Sequence, residues 1–246
     1  MLRSRLSVFL MIHKGSLYKS ENFKDYTYIG DPINAVRIYS DFEADELILV
    51  DIDASTLGEE PRFDIIERVA SESRMPLCYG GGVKNLFQVE KIIKFGVEKI
   101  SLSSEAIYNP DFIKSASNLL GSQSIVCCLD VKKMENNSYS AYTHNGTKKV
   151  NSDITSILNS FATNGAGEII VNNIDRDGTM LGYDEELIKQ TTKNIDLPFT
   201  FVGGAKDLKN TQEILNQFGV FGMAGGRVFS LIGERKSVLL NYPKRT

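Results

Sequence analysis

The chain contains a long internal repeat, and this repeat limits its fold more than any other feature does. Residues 77–105 read as a strand, a glycine-rich turn, a helix and a second strand, and residues 199–230 follow the same plan. Matching positions carry Gly81, Gly82, Lys84 and Leu86 in the first copy and Gly203, Gly204, Lys206 and Leu208 in the second. A repeat of this length predicts two fused halves of similar architecture, about residues 1–120 and 121–246.

Apolar runs alternate with helical patterns along both halves. The predicted strands cover residues 6–12, 46–53, 76–79, 99–103, 124–131, 168–174, 199–202 and 220–224. Strands that alternate with helices favour a parallel sheet with right-handed crossovers. Eight such units in 246 residues, close to the roughly 250 that are typical, predict an α/β fold with a single (β/α)8 TIM barrel domain over residues 1–246.

Three segments fall outside this alternation. Residues 139–143 and 148–150 are predicted to pair as a hairpin around Asn145-Gly146, a favoured turn dipeptide. Residues 13–31 are polar and aromatic, and they are predicted to form a mobile loop over the barrel mouth. A short final helix is predicted from Glu234 onward.

The net charge and the few cysteines and histidines limit the partners and metal sites that the chain can be expected to have. The net charge of −3 gives no indication of a nucleic-acid or membrane-surface partner. Cys78, Cys127 and Cys128 lie within apolar runs, as is typical of reduced core residues in a cytoplasmic protein. His13 and His144 are too few and too scattered for a typical zinc site, so we expect no metal and no cofactor.

Glycine turns at matched strand ends predict two anion sites at the mouth, where barrels of this kind carry their active sites. Backbone N–H groups beside a helix N-terminus can approach phosphate oxygens closely where no Cβ atom intervenes. The first predicted site comprises Gly82, Ser103 and Ser104, and the second comprises Gly178, Gly204, Gly226 and Arg227. A single glycine pair is more often only a tight turn, but its recurrence at matched strand ends favours anion binding.

Carboxylates also stand at the predicted strand ends. Asp51, Asp53, Asp175 and Asp177 could be catalytic, could bind substrate hydroxyls or could cap the following helix, and we favour binding or capping for Asp51 and Asp177. Asp130 ends an apolar run, so it is either a general acid or base or a buried carboxylate that orders a loop. The matching position of the first half carries Met11, whose thioether cannot exchange a proton at neutral pH.

Four charged residues stand at strand starts on the opposite end of the predicted barrel. They are Arg5, Glu46, Lys99 and Glu168. Solvated strand starts are one interpretation, because ion pairs at such positions are common and contribute little. Their alternating sign also fits a salt-bridged ring on the barrel floor, which would act as a plug or gate to the interior.

The chain resembles the cyclase subunit of imidazole glycerol phosphate synthase, the HisF family, over nearly its whole length. The residues that carry the resemblance include Lys19, Asn22-Phe23, Gly30-Asp31-Pro32, Asp51, Gly80-Gly81-Gly82, Gly121-Ser122-Gln123, Asp130, Asn145-Gly146, Ile174-Asp175-Arg176-Asp177-Gly178-Thr179, Gly182-Tyr183-Asp184 and Gly203-Gly204-Ala205. The resemblance implies a HisH-type glutaminase on the floor, and ammonia that passes the four charged residues and travels through the barrel. It also implies a phosphorylated small-molecule ligand at the mouth, held at two phosphate sites, with Lys19 and Asp51 beside it.

The sequence departs from the family at positions that handle protons and phosphate. The family uses two aspartates, and this chain keeps Asp130 but has Met11 in place of the other; Ser103-Ser104 and Arg227 also differ from the usual residues. HisF-like proteins of surface-polysaccharide clusters show a similar pattern, which implies ammonia supply to a separate sugar amidotransferase. Two alternatives stay open, namely a divergent histidine-pathway cyclase and a binding module for a phosphorylated sugar.

Overall fold

The computed structural model describes residues 4–219, 222–233 and 237–243. The strands, in chain order, are β1 (Arg5–His13), β2 (Ser16–Glu21), β3 (Lys24–Gly30), β4 (Glu46–Asp51), β5 (Leu77–Gly80), β6 (Lys99–Leu102), β7 (Ile125–Lys133), β8 (Tyr139–Thr143), β9 (Lys148–Asp153), β10 (Glu168–Asn173), β11 (Phe199–Val202), β12 (Gly222–Gly225), β13 (Leu231–Ile232) and β14 (Ser237–Val238). The helices are α1 (Pro32–Asp41), α2 (Ile52–Leu57), α3 (Phe63–Glu72), α4 (Leu86–Lys94), α5 (Ser104–Tyr108), α6 (Pro110–Leu120), α7 (Ile154–Thr163), α8 (Glu185–Thr192), α9 (Leu208–Phe218) and α10 (Arg227–Ser230).

Eight parallel strands close into a barrel, which confirms the predicted fold. Their order around the barrel is β1, β4, β5, β6, β7, β10, β11 and β12, and β12 pairs with β1 to complete the circle. β1 and β7 therefore lie on opposite sides of the barrel. Within the described ranges, no helix combines the length and the hydropathy of a membrane span.

Alternation along the strands separates an inner layer from an outer one. The outward side chains pack beneath the helices in one extended cluster that includes Leu47, Leu49, Ile100 and Leu129. The inward side chains form a second apolar cluster of Ile48, Cys78, Val126, Cys128, Ile170, Val202 and Ala224. This period of two is the geometry of a strand, in which successive side chains point to opposite faces. The three cysteines are free and buried, as predicted.

The segment predicted as a loop over the mouth is instead an ordered antiparallel extension of the barrel, so that prediction was wrong. β2 pairs with the mouth end of β1, with Met11 opposite Tyr18, and β3 pairs with β2. The backbone of Asn22 at the hairpin tip donates to the carbonyl of Asp177 at 2.9 Å. The polar residues of the segment are compatible with strands because the hairpin lies over the mouth instead of inside the core.

The second hairpin and the C-terminal segment can be compared with their predicted structures. The predicted 139–143 hairpin is present as β8 and β9. The final helix is not formed by residues 237–243, which include the strand β14, while residues 234–236 lie outside the described ranges. The eighth barrel strand is seen from Gly222, and its predicted first two residues, 220 and 221, also lie outside those ranges.

The repeated glycine turns have the same local geometry in both halves. Gly81 and Gly203 have φ values of +117° and +94°. A Cβ atom at Gly81 would lie 2.3 Å from the carbonyl oxygen of Asp51, and one at Gly203 would lie 2.4 Å from that of Asn173. Only glycine allows the turn to pass so close to the end of the preceding strand.

Candidate functional site

A cavity of about 500 Å³ opens at the carboxyl ends of the barrel strands. Of the residues predicted for the site, those that line it are Met11, Lys19, Asp51, Gly82, Ser103, Ser104, Asp130 and Asp177. The cavity extends inward to Cys128 and Asn172, next to the apolar interior of the barrel. The polar mouth therefore lies directly above the apolar interior of the barrel.

Asp130 is one of the carboxylates that line this cavity. It follows Val126 and Cys128 on the inward face of β7, and Asn172 of the neighbouring β10 donates from Nδ2 to its Oδ1 at 3.0 Å. Burial raises the pKa of Asp130 to about 7, a rise that the Asn172 hydrogen bond opposes and the nearby Asp177 reinforces. A group with this pKa can both accept and donate a proton near neutrality.

Met11 faces the same cavity from β1, on the opposite side of the barrel. Its side chain is buried, and the hydroxyl of Ser20 lies 4.0 Å from its sulfur. The position that matches Asp130 in the other half is therefore directed at the mouth but carries no group that can transfer a proton.

Lys19 and Asp177 form the polar side of the cavity below the hairpin. The ammonium group of Lys19 donates to the carbonyl oxygen of Phe9, and burial lowers the pKa of Lys19 to about 8 against the attraction of Asp177. Asp177 accepts a 2.5 Å hydrogen bond from Ser20. Burial raises the pKa of Asp177, while Ser20 and Lys19 oppose the rise. The side chain of Asp177 thus binds the hairpin, while its backbone N–H donates to the carbonyl of Ile174 at the end of a short 3-10 helix.

Asp51 has a capping role, one of the two roles, binding or capping, that the sequence favoured. Its carboxylate accepts from the backbone N–H groups of Asp53 and Ala54 and begins α2. Burial raises the pKa of Asp51, opposed by those hydrogen bonds and by Arg62, whose Nε lies 2.9 Å from the carboxylate. Asp53 instead contacts Nδ1 of His13 at 2.7 Å.

The two predicted anion positions differ in the folded chain. Gly82, Ser103 and Ser104 border the cavity, whereas Gly178, Gly204, Gly226 and Arg227 are not among its lining residues. Arg227 donates to the carbonyl of Gly178, and its Nη1 lies 3.3 Å from a carboxylate oxygen of Glu21. At the second position Arg227 therefore contacts Gly178 and an acidic partner, Glu21.

The four charged residues at the strand starts form one ion-pair ring. Nη1 of Arg5 lies 3.1 Å from Glu46 and its Nη2 lies 2.6 Å from Glu168; Nζ of Lys99 lies 2.9 Å from each carboxylate. Both glutamates are buried. Thr200 donates to Glu168 at 2.7 Å and Ser7 to Glu46 at 2.8 Å. These are buried, fully engaged carboxylates, unlike solvated strand starts.

Burial and ion pairing act in opposite directions on this ring. Burial raises the pKa of Glu168, but the combined attraction of Lys99 and Arg5 outweighs it and leaves that pKa below its ordinary value. Burial likewise lowers the pKa of Lys99, and the two glutamates outweigh it so that the pKa is raised. Glu168 and Lys99 are therefore both ionised at neutral pH.

Several residues of the site were not singled out from the sequence. Asn172 shares the inward face of β10 with Glu168 and Ile170, so the period of two could have indicated it. Ser20 and Arg62 gave no such signal. Ser20 contacts Asp177 from a distant segment of the chain, and Arg62 contacts Asp51 from outside the regular strands.

Known proteins match the chain over nearly its full length. The histidine biosynthesis protein family matches residues 11–231. A Leptospira borgpetersenii protein named "Putative imidazole glycerol phosphate synthase subunit HisF" is 47% identical over 247 residues, covering 100% of this chain and 97% of that protein. A Vibrio vulnificus protein named as subunit hisF3 of the same synthase, also "putative", is 47% identical over 99% of this chain and 94% of its own length.

A third relative has a name without that qualifier. The "Imidazole glycerol phosphate synthase subunit HisF" of Exiguobacterium sibiricum is 36% identical over 213 residues, covering 87% of this chain and 85% of that protein. The closed parallel barrel agrees with these matches. The chain belongs to the HisF family of histidine biosynthesis proteins.

Proposed function

We propose that this HisF-family barrel receives ammonia from a HisH-type glutaminase at its floor and conducts it to the mouth. The observation that carries the proposal is the combination of a complete ion-pair ring with Met11 at the position of the missing acid. The barrel keeps the features needed to admit and guide a small neutral nucleophile. It lacks one of the two aspartates that the family resemblance implies for ring closure.

The interior supports conduction of a neutral molecule. Between the ring and Asp130 the inward side chains are Ile48, Cys78, Val126, Cys128 and Ile170, which form an apolar cluster. Such a lining favours ammonia over ammonium, because an unpaired charge in an apolar interior is strongly disfavoured. The burial that raises the pKa of Cys78 and Cys128 keeps both thiols neutral as well.

The acceptor in this proposal is a sugar, in the form of a nucleotide sugar that a separate amidotransferase modifies for surface polysaccharide. The support is the sequence form of Asp51-Ile52-Asp53-Ala54-Ser55 and Tyr142-Thr143-His144-Asn145-Gly146-Thr147, which resembles HisF-like proteins of such clusters. A chain that supplies ammonia to another enzyme in the same cell compartment would act in the cytoplasm.

A second candidate is a divergent imidazole glycerol phosphate synthase cyclase. The observation in its favour is that Asp177 lines the same cavity as Asp130 and interacts with it, so the mouth contains two carboxylates despite Met11. Lys19, with its pKa near 8, offers a further proton-exchanging group. The whole-length relatives that are named as synthase subunits support the same reading.

The test separates ammonia delivery from ring closure. The purified chain is mixed with the HisH-type glutaminase of its own organism, and glutamine hydrolysis is measured with and without the barrel. The chain alone is then given the cyclase substrate with an ammonium salt. We expect stimulated glutamine hydrolysis and no significant cyclase turnover. Turnover at ordinary cyclase rates would establish the second candidate, and failure to pair with the glutaminase would favour a phosphosugar-binding module.

A further inference from the structure

The two halves of the repeat contribute unequally to the mouth cavity. Ser103 and Ser104 follow β6 and border the cavity, and Ser103, which immediately precedes α5, makes no side-chain capping bond. The equivalent residues after β12 are Gly226 and Arg227, and neither is among the lining residues. A chain whose sequence predicts two matched anion positions therefore opens only one of them to the cavity.

The guanidinium of Arg227 occupies the second position. It donates to the carbonyl oxygen of Gly178 and pairs with Glu21 of the hairpin at 3.3 Å. The Arg227 side chain is 19% exposed and the Glu21 side chain is 40% exposed, so the pair lies at the border between the protein and solvent. The carbonyl of Gly178 therefore faces a cation. The backbone of Gly178 also lies against the hairpin, since a Cβ atom at this position would be 2.1 Å from the carbonyl oxygen of Ser20.

The ammonium group of Lys19 fills the adjacent space. A Cβ atom at Gly226 would lie 1.9 Å from Nζ of Lys19 and 2.7 Å from the carbonyl of Phe9. Two cations, Lys19 and Arg227, are thus set against two carboxylates, Asp177 and Glu21, in this part of the mouth. A phosphate entering here would meet the carboxylates of Asp177 and Glu21 and would have to displace Glu21 from Arg227.

We infer that the Arg227–Glu21 pair closes the second anion position, so that the mouth accepts ligands with a phosphate at one end only. The chemical class is a sugar or polyol monophosphate, whose single phosphate lies beside Gly82, Ser103 and Ser104. The inference goes beyond the proposed function, because ammonia delivery by itself places no phosphorylated ligand at the mouth. Arg227 is in this account a specificity-determining residue that acts by exclusion.

Two commercially available probes test the inference, ribose 5-phosphate with one phosphate and ribulose 1,5-bisphosphate with one at each end. Their dissociation constants for the intact chain are measured by isothermal titration calorimetry in the same buffer. We expect ribose 5-phosphate to bind at one site per chain, and the bisphosphate to bind no more than about threefold more tightly. A bisphosphate preference of tenfold or more in the unmodified chain would overturn the inference without any variant.

Arg227→Ser introduces the residue type that the repeat has at Ser104. We expect this variant to bind the bisphosphate at least tenfold more tightly than the unmodified chain does, with the affinity for ribose 5-phosphate unchanged. That unchanged affinity also serves as the control for folding. If Arg227→Ser instead lowered the affinity for the bisphosphate, Arg227 would itself be a phosphate ligand. That result would contradict the inference that Arg227 excludes a second phosphate.

The outcome can be separated from that of the ammonia proposal. Binding of neither probe would overturn the inference, because the first position would then hold no phosphate, while stimulation of the glutaminase would be unaffected. Conversely, the chain could show the expected preference for one phosphate and yet fail to stimulate any glutaminase. That result would support the role of Arg227 in specificity and reject ammonia delivery.

Discussion

Asn172 on β10 donates from Nδ2 to Oδ1 of Asp130 on β7 across 3.0 Å, and the two residues are also direct partners in the strand register. The hydrogen bond favours the ionised form of Asp130, yet burial dominates and raises its pKa to about 7. The unfolded chain loses the same proton near pH 4. Between these values the folded chain holds one more proton, so its stability falls as the pH rises from about 4 to about 7.

Asp130→Asn removes this pH dependence and keeps an oxygen that can accept from Asn172. We expect the variant to become more stable relative to the parent as the pH rises through this window, by about 4 kcal/mol at pH 8. Urea unfolding at a series of pH values measures the difference. Asp41→Asn, at an exposed helix end, is the control and should show no such trend. A constant difference between Asp130→Asn and the parent would refute the raised pKa.

Met11→Asp restores a carboxylate to the cavity wall opposite Asp130. We expect cyclase turnover with ammonium salt to rise by at least tenfold over the parent, because a positioned acid or base contributes about 10² to 10⁴. We also expect a loss of about 1 to 3 kcal/mol in the free energy of unfolding, because the side chain is buried.

Met11→Asn is the matched control for that gain. It has a similar polar shape but no titratable group, so its turnover should stay at the level of the parent. Equal activation by both variants would mean that cavity polarity matters, not proton transfer. No activation by Met11→Asp would indicate that other residues of the mouth are also incompatible with ring closure.

Lys99→Ala removes one cation from the floor ring. Arg5 still contacts both glutamates, so we expect the loss in unfolding free energy to be about 2 kcal/mol, below the 3 to 5 typical of a stranded buried charge. The lowered pKa of Glu168 contributes stability above its unfolded pKa, and this contribution disappears as the pH falls. The difference between parent and variant, measured by urea unfolding, should therefore shrink below about pH 4.

The comparison variant is Lys209→Ala, whose side chain is 88% exposed and pairs with Glu213 at 3.9 Å. An exposed pair of this kind should change the stability by no more than about 0.5 kcal/mol. In a glutamine-dependent assay Lys99→Ala should also alter how tightly ammonia production is coupled to its use. A Lys99→Ala protein indistinguishable from the parent in that assay would remove the gate role.

Gly81→Ala and Gly203→Ala test the equivalence of the repeated turns. Each new Cβ atom would lie within 2.4 Å of a backbone carbonyl oxygen, and each residue has a positive φ. We expect both variants to lose about 3 kcal/mol or more of unfolding free energy. Gly96→Ala has a similar φ of +101° but nothing within 4 Å of its Cβ, so it should lose about 1 kcal/mol. Thermal and urea unfolding would detect the difference, and equal losses at all three glycines would contradict the close approach.

The sequence by itself determined the barrel, because the repeat and the alternation of strands and helices record local physics. A period of two places Ile48 on the opposite face of β4 from Leu47 and Leu49 without any knowledge of their neighbours. The predicted barrel also indicated the end at which the site residues would lie, because parallel strands bring their carboxyl ends to one face. The family resemblance rested on the same local marks.

Only the tertiary structure decided which of these residues meet. The hairpin of β2 and β3 escaped prediction because its strands are stabilised by pairing with the end of β1 and by contacts with distant loops, such as the Asn145 amide on Tyr26 at 2.6 Å. The Arg227–Glu21 pair joins residues 206 positions apart, and no local pattern encodes it. Side-chain partners of this kind depend on the closure of the barrel, since the chain ends come together only when β12 pairs with β1.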